Sequence, residues 1–298
     1  MPSGILLLDK PRGLSSNAAL QRVRALFSGE KAGHVGSLDP LATGMLPVCL
    51  GEATKIAGEI LAARKRYRFT LALGERTATG DAEGAVTSTA PVPPLERSAV
   101  EAVLGRFRGR QRQTPPMYSA LKRDGQPLYR LARAGKTVAR EAREVELFEL
   151  ALLALGPARL ELETLCSKGT YIRALGEDLA EALGTCGHLS ALRRLYVEPF
   201  AGEPMHTLES LEEARARGER PALLPPDWPL AHLPAVALAA DEARRLRQGQ
   251  SVTAPREGAP SRVRLYDERG TFVGLGEADG HGTLRPRRLL NAPASTPT

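Results

Sequence analysis

The chain has 298 residues, 42% of them hydrophobic and 25% charged, which excludes wholesale disorder and leaves room for one large and one small domain. A net charge of +7 points towards a polyanionic partner. Cys49, Cys166 and Cys186 make no closed disulfide set and no CxxC pair, and no stretch approaches the roughly 18 apolar residues that span a bilayer, so a soluble chain in the reducing cytoplasm is expected.

In chain order, residues 4–9 read as a short buried strand halted by Lys10-Pro11 and Gly13. Ser15 or Ser16 can cap a helix over 17–27, with Leu20, Val23 and Phe27 on one face. The stretch 33–44 holds three glycines, His34, Ser37, Thr43 and one acid, Asp39, and reads as a shaped loop. Asp39 precedes Pro40, so it reads either as a turn former or as a lone acid presented by the loop. Residues 67–73 alternate as a half-buried strand with Tyr67 at its entry. A polar turn follows at 77–84, then a proline-rich break and a helix over 97–106.

Between residues 106 and 143, eleven basic residues meet only Asp124 and Glu141, a local excess greater than that of the whole chain. Tyr118 and Tyr129 lie among them. The block reads as a nucleic-acid contact or, more simply, as a solvated basic face. Strands at 146–155 and 158–166 flank a Gly156-Pro157 turn and lead to a helix marked by Ile172, Leu175, Leu179 and Leu183, with Gly184 as its stop. Arg173 falls in the first turn of that helix, where a cation opposes the helix dipole unless an anion answers it. Five prolines between 221 and 234 mark a linker. Beyond it come a short helix at 241–247, a hairpin of strands at 262–266 and 272–277, and a basic end at Arg285, Arg287 and Arg288. No nucleotide-binding or hydrolase motif is present, and Cys186-Gly187-His188 lacks companion ligands at zinc spacing, so neither cofactor nor metal is expected.

Several segments together resemble the TruB-type tRNA pseudouridine synthases: LLLDKPRGLSS at 6–16, GHVGSLDPLATGMLP at 33–47, KRYRFTLALG at 65–74, YSALKRDGQPLYRLARAG at 118–135, CSKGTYIRALGEDL at 166–179 and HLSALRRL at 188–195. The resemblance implies an α/β (α+β) catalytic domain at 1–220, built on a mixed, largely antiparallel sheet flanked by helices. An RNA-gripping thumb is inserted at about 106–143 and is expected to be mobile without RNA. The linker at 221–234 then leads to a small β-rich PUA-type RNA-binding domain at 235–292 and a flexible tail at 293–298.

The implied activity is isomerisation of the T-loop uridine of tRNA to pseudouridine, with the base flipped out and no cofactor. The implied partner is the T-arm of tRNA, bound by a monomer. By resemblance Asp39 is the essential carboxylate, acting as nucleophile at sugar or base or as a base. His34 helps displace the target base, Tyr67 stacks on uracil, and Arg173 pairs with Asp39. Asp81, Tyr171 and Leu192 line the uracil pocket. The family pattern Thr-Asp-Thr is replaced here by Thr77-Ala78-Thr79, a departure that bears on Asp81. Lys10, Lys122, Arg123 and Arg130 are RNA-backbone candidates. Two other classes stand beside the enzyme: a non-catalytic RNA-binding or RNA-folding protein, motivated by the basic block alone, and a metal-dependent nuclease, for which the ligands are too scattered.

Overall fold

β1 (Gly4–Lys10) is apolar on both faces because both are covered: Leu6 and Leu8 enter one core, Ile5 and Leu7 another. The computed structural model describes residues 3–29, 31–123, 125–253 and 261–291, so the tail expected at 293–298 lies outside the described residues. β1 pairs with β3 (Thr43–Leu50), which also carries the short β2 (Ala32–His34). The stretch expected to be loop from 33 to 44 therefore has a strand at each end, and only the turn between them is free of the sheet.

The remaining strands of the first domain are β4 (Lys65–Leu73), β5 (Glu75–Thr77), β6 (Val86–Thr89), β7 (Gly109–Gln113), β8 (Lys122–Arg123), β9 (Gln126–Pro127), β10 (Arg143–Gly156), β11 (Arg159–Cys166) and β12 (Gly187–Val197). Its main sheet runs β1-β3-β12-β4-β11-β10-β7. Every pairing in it is antiparallel except β3 with β12. The eleven-residue β12 sits inside this order, between β3 and β4, yet no periodicity in 187–197 marks it as a strand. Both neighbours supply its hydrogen bonds, so pairing rather than local propensity makes it.

One face is packed by α1 (Ser16–Leu26), α3 (Arg97–Phe107), α5 (Ile172–Ala182) and α6 (Leu208–Ala216), whose Val23, Leu104, Leu175 and Leu211 share one core with Tyr67, Phe69, Leu71 and Leu73 of β4. Of the two serines considered, Ser15 is the cap of α1, accepting from the Ala18 amide. Helix α5 stops as its sequence indicates, with Gly184 left-handed (φ +82°) just beyond it. On the other face, residues 51–56 form a 3-10 turn leading into α2 (Ala57–Ala62), and Ile56 and Ile60 pack against β1 and β3. Farther along that face, Arg66 and Arg68 pair with Glu163 instead of packing under a helix.

The proline-rich segment 221–234 is docked on the sheet: Leu224 exchanges both backbone hydrogen bonds with Ile5, and Leu230 is fully buried. It leads to a sheet ordered β13-β15-β16-β17-β14, formed by Ala235–Ala237, Ser261–Tyr266, Phe272–Ala278, Thr283–Leu289 and Val252–Thr253, with α7 (Ala240–Arg247) against it. The basic end with Arg285, Arg287 and Arg288 is itself strand β17. This unit is held to the first domain by Leu275 in the shared core, by Arg262 pairing with Glu59 at 2.6 Å, and by Lys55 donating to the Leu289 carbonyl. Among the described residues no helix is long and apolar enough to cross a membrane.

Candidate active site

The turn between β2 and β3 is made by residues 39–42: the Ala42 amide donates to the Asp39 carbonyl at 3.0 Å, with Pro40 presetting the bend. Asp39 is thus a turn former through its backbone, while its side chain leaves the turn. Ser16, Gly13 and Arg194 pin the loop. The Ser16 hydroxyl donates to the Leu38 carbonyl and accepts from the Leu38 amide (2.9 and 2.7 Å), and the Gly13 amide donates to the Pro40 carbonyl at 2.8 Å. Arg194 donates from Nη2 to the Gly36 carbonyl at 2.8 Å and from Nε to the Met45 carbonyl at 2.7 Å. Gly44 has φ +97°, and a Cβ there would collide with the Arg194 carbonyl oxygen, so only glycine lets β3 and β12 approach.

The Asp39 carboxylate is gripped by Arg173 from α5, through Nε to Oδ2 at 2.9 Å and Nη2 to Oδ1 at 3.2 Å. The Arg173 side chain is 4% exposed and that of Asp39 39%, so the pair is closed from below and open from above. The rest of the guanidinium donates to the carbonyls of Thr79 (2.6 Å) and Tyr118 (2.7 Å). The anion required by a cation at the start of α5 is thereby supplied. Asp81, on the other side, has Oδ2 3.8 Å from Arg173 Nε, while its Oδ1 accepts from the Thr79 hydroxyl and the Glu83 amide. Asp81 is 3% exposed and so stands behind Arg173 rather than in the open mouth. Burial pushes the Asp39 carboxyl above the ordinary aspartate range, Arg173 and Lys10 pull it down, and Asp81 pushes it up.

Tyr67 lies on β4 between Arg194 of β12 and Thr164 of β11. Burial raises its phenol pKa, opposed by the hydrogen-bonded Arg194, and the Asp39 charge reaches it too. His34, at the end of β2, is half-buried, and its Nδ1 has no hydrogen-bond partner among the described residues; burial followed by Arg194 lowers its pKa. Tyr171 caps α5, and its backbone exchanges hydrogen bonds with the Gln113 side chain (2.7 and 3.0 Å). Leu192 is buried opposite Phe69. Asp39, Arg173, Asp81 and Tyr67 are thus brought together from four separate segments.

Lys122, Arg123 and Arg130 are exposed on the β8–β9 hairpin and α4 (Leu128–Arg133), inside the basic arm. Lys10 is not available to an RNA backbone as expected. It is 0% exposed, and its ammonium donates to the carbonyls of Pro11 (2.9 Å), Leu14 (2.7 Å) and Pro40 (3.5 Å). Burial brings its pKa down to about 8. Lys10 steadies the backbone beside Asp39. Sequence reasoning passed over two residues that hold the loop, Ser16 and Arg194. A serine directly after an N-cap serine was a signal for the first; nothing local distinguishes Arg194 from Arg193. Among the described residues no group of three or more side chains could hold a metal ion.

The fold is shared with two solved ribonucleoprotein structures. An archaeal box H/ACA sRNP Nop10-Cbf5 complex superposes with a TM-score of 0.71 at 22% identity, covering 98% of this chain and 87% of that one. An H/ACA RNP bound to a substrate RNA containing 2'-deoxyuridine gives 0.72 at 21%, covering 97% and 85%. The description "TruB family pseudouridylate synthase (N terminal domain)" matches residues 24–172, and the tRNA pseudouridylate synthase B and pseudouridine synthase II C-terminal descriptions match 173–231 and 234–290. The tRNA pseudouridine synthase B of Chromohalobacter salexigens is 50% identical over 97% of this chain and 94% of its own. That of Pseudomonas aeruginosa is 50% identical over 97% and 96%. The chain belongs to the TruB family of pseudouridylate synthases, which are isomerases.

Proposed function

We propose that this protein converts the T-loop uridine of tRNA, position 55, to pseudouridine, with Asp39 as the reacting carboxylate. The observation that carries the reading is the bidentate Arg173–Asp39 pair, in which a buried arginine fixes one side of a carboxylate whose side chain stays 39% exposed. The reaction breaks the C1′–N1 bond, turns the uracil and joins C5 to C1′; N1 gains a proton and C5 loses one. No electron or group donor is consumed. A single carboxylate serves as nucleophile or as base, and Arg173 orients it in its ionised form.

The target base is stacked inside a folded loop and has to be flipped out to reach Asp39. In this reading Tyr67 offers its ring to the uracil, Leu192 and Tyr171 border it, and His34 helps displace it. Asp81 backs Arg173. The basic arm, with Lys122, Arg123 and Arg130, grips the T-arm backbone, and the C-terminal domain with Arg285, Arg287 and Arg288 adds a second RNA contact. The same reading has the protein act as a monomer in the cytoplasm.

The test is release of tritium from a tRNA T-arm transcript carrying [5-³H]uridine, since C5 loses its hydrogen only when it bonds to C1′. Release by the wild-type protein and a rate lowered at least about a hundredfold in Asp39→Asn are expected. Release by Asp39→Asn at the wild-type rate overturns the assignment of Asp39, and no release by wild type overturns the activity.

A further inference from the structure

Arg194 is 1% exposed and heads the largest fully buried side chains, yet among the described residues no carboxylate forms an ion pair with it. Its charge is answered by the Gly36 and Met45 carbonyls and by the Tyr67 hydroxyl. Burying an arginine on neutral partners is expensive, and an apolar side chain of similar volume would serve folding as well or better. What it holds is informative. Gly36 and Met45 bracket the loop that carries Asp39, and Arg194's own backbone lies between Gly44 on β3 and Tyr67 on β4. One residue therefore ties both ends of the Asp39 loop to the strand that presents Tyr67. The parallel contact of β3 with β12 consists of only Arg193 with Thr43 and Arg194 with Gly44, so backbone pairing alone couples the loop weakly to β12.

We propose that Arg194 is a positioning residue for the isomerisation, clamping the Asp39 loop at a fixed separation from the Tyr67 ring. The proposal rests on the reading of Asp39 and Tyr67 given above. Its guanidinium matters as a fork: Nε and Nη2 reach two carbonyls nine residues apart, which a single ammonium cannot do with the same geometry. Misplacement of a reacting group by about an ångström costs a rate factor on the order of 10² without touching the residues that bind the remote parts of the substrate.

The test compares wild type, Arg194→Met and Arg194→Lys in the tritium-release assay, with RNA binding and thermal unfolding measured on the same samples. In Arg194→Met, kcat is expected to fall about a hundredfold, while KM and RNA affinity stay within about twofold and the protein remains folded. Arg194→Lys is expected to lie between the two, because it keeps the charge and loses the fork. Wild-type kcat in folded Arg194→Met overturns the proposal, as does a loss confined to KM or RNA affinity. If Arg194→Met does not fold, Arg194→Lys decides by the same split of kcat from KM. Activity of the wild type in this assay separates the outcomes: if the wild type releases no tritium the underlying reading fails, and if it does while the variants match it only the role of Arg194 fails.

Discussion

Arg173 stands between two carboxylates: it holds Asp39 through two hydrogen bonds at 2.9 and 3.2 Å, and its Nε lies 3.8 Å from Oδ2 of Asp81. Only the first carboxylate faces the opening. Asp81 is nearly sealed and tied to Thr79 and Glu83, so it fixes the guanidinium that in turn fixes Asp39. Asp39 is thereby oriented by two hydrogen bonds while its open side stays accessible.

Removing the charge of Asp39 separates chemistry from binding. Asp39→Asn is expected to lower the rate of tritium release by at least about 10²–10⁴-fold, while RNA affinity, measured by filter binding, changes little because the basic arm is untouched. Its Arg173 neighbour loses its main partner, so a lower thermal midpoint is expected alongside.

Arg173 influences both geometry and ionisation. Its charge pulls the Asp39 pKa down against burial. Arg173→Met removes that pull, so the carboxylate protonates at higher pH, and the acidic limb of the pH–rate profile is expected to move upward. Arg173→Lys keeps a charge but not the paired geometry. Its acidic limb is expected to stay nearer the wild-type position with kcat reduced about ten- to a hundredfold. A variant profile that moves to lower pH would reject this account.

Lys10 gives a stability signature on the alkaline side. Burial lowers its folded pKa from 10.5 to about 8, and the same happens to Lys65, which is 6% exposed and donates to the Leu61 and Ala63 carbonyls. In the unfolded chain both keep their protons to higher pH. Between about 8 and 10.5 the unfolded state therefore binds more protons, and each lysine makes the fold gain stability as pH rises. The full shift corresponds to about 3 kcal/mol at most for each. Urea midpoints at the two ends of this window are expected to differ less in Lys10→Met than in wild type; an equal difference would show that Lys10 is not desolvated.

Gly44 is constrained twice, by φ +97° and by the collision a Cβ would make with the Arg194 carbonyl oxygen. Gly44→Ala is expected to destabilise by about 2–3 kcal/mol, lowering the thermal midpoint by roughly 5–10 °C. Gly33 is the control, because a methyl group there would meet nothing within 4 Å and its φ is not left-handed: Gly33→Ala is expected to be nearly neutral.

Electrostatics governs the arm. Lys122→Glu with Arg130→Glu is expected to weaken RNA binding and to reduce the slope of log affinity against log salt by about one for each phosphate no longer neutralised. At saturating RNA, kcat is expected to hold, since neither side chain touches the Arg173–Asp39 pair. A salt slope equal to that of wild type would show that the two residues do not neutralise phosphates.

Much of this molecule is legible in its residues because the signals are local. The alternation of β4, the helical spacing through Leu175 and Leu179, the left-handed Gly184 and the basic block each follow from neighbouring positions, and the motif around Asp39 carries its family with it. The sequence by itself determined the fold class, the family and the need for an anion beside Arg173. Only the tertiary structure decided that β12 is an interior strand of the sheet, that the proline-rich segment docks on β1, and that Lys10 lies buried beneath the loop instead of on RNA. It alone distinguished Arg194, buried and clamping the loop, from the adjacent Arg193, which is partly exposed and paired with Asp9. The physical reason is the same in each case: strand pairing, burial and the partners of a long charged side chain depend on segments distant in the chain, and no local pattern encodes which of two adjacent arginines turns inward.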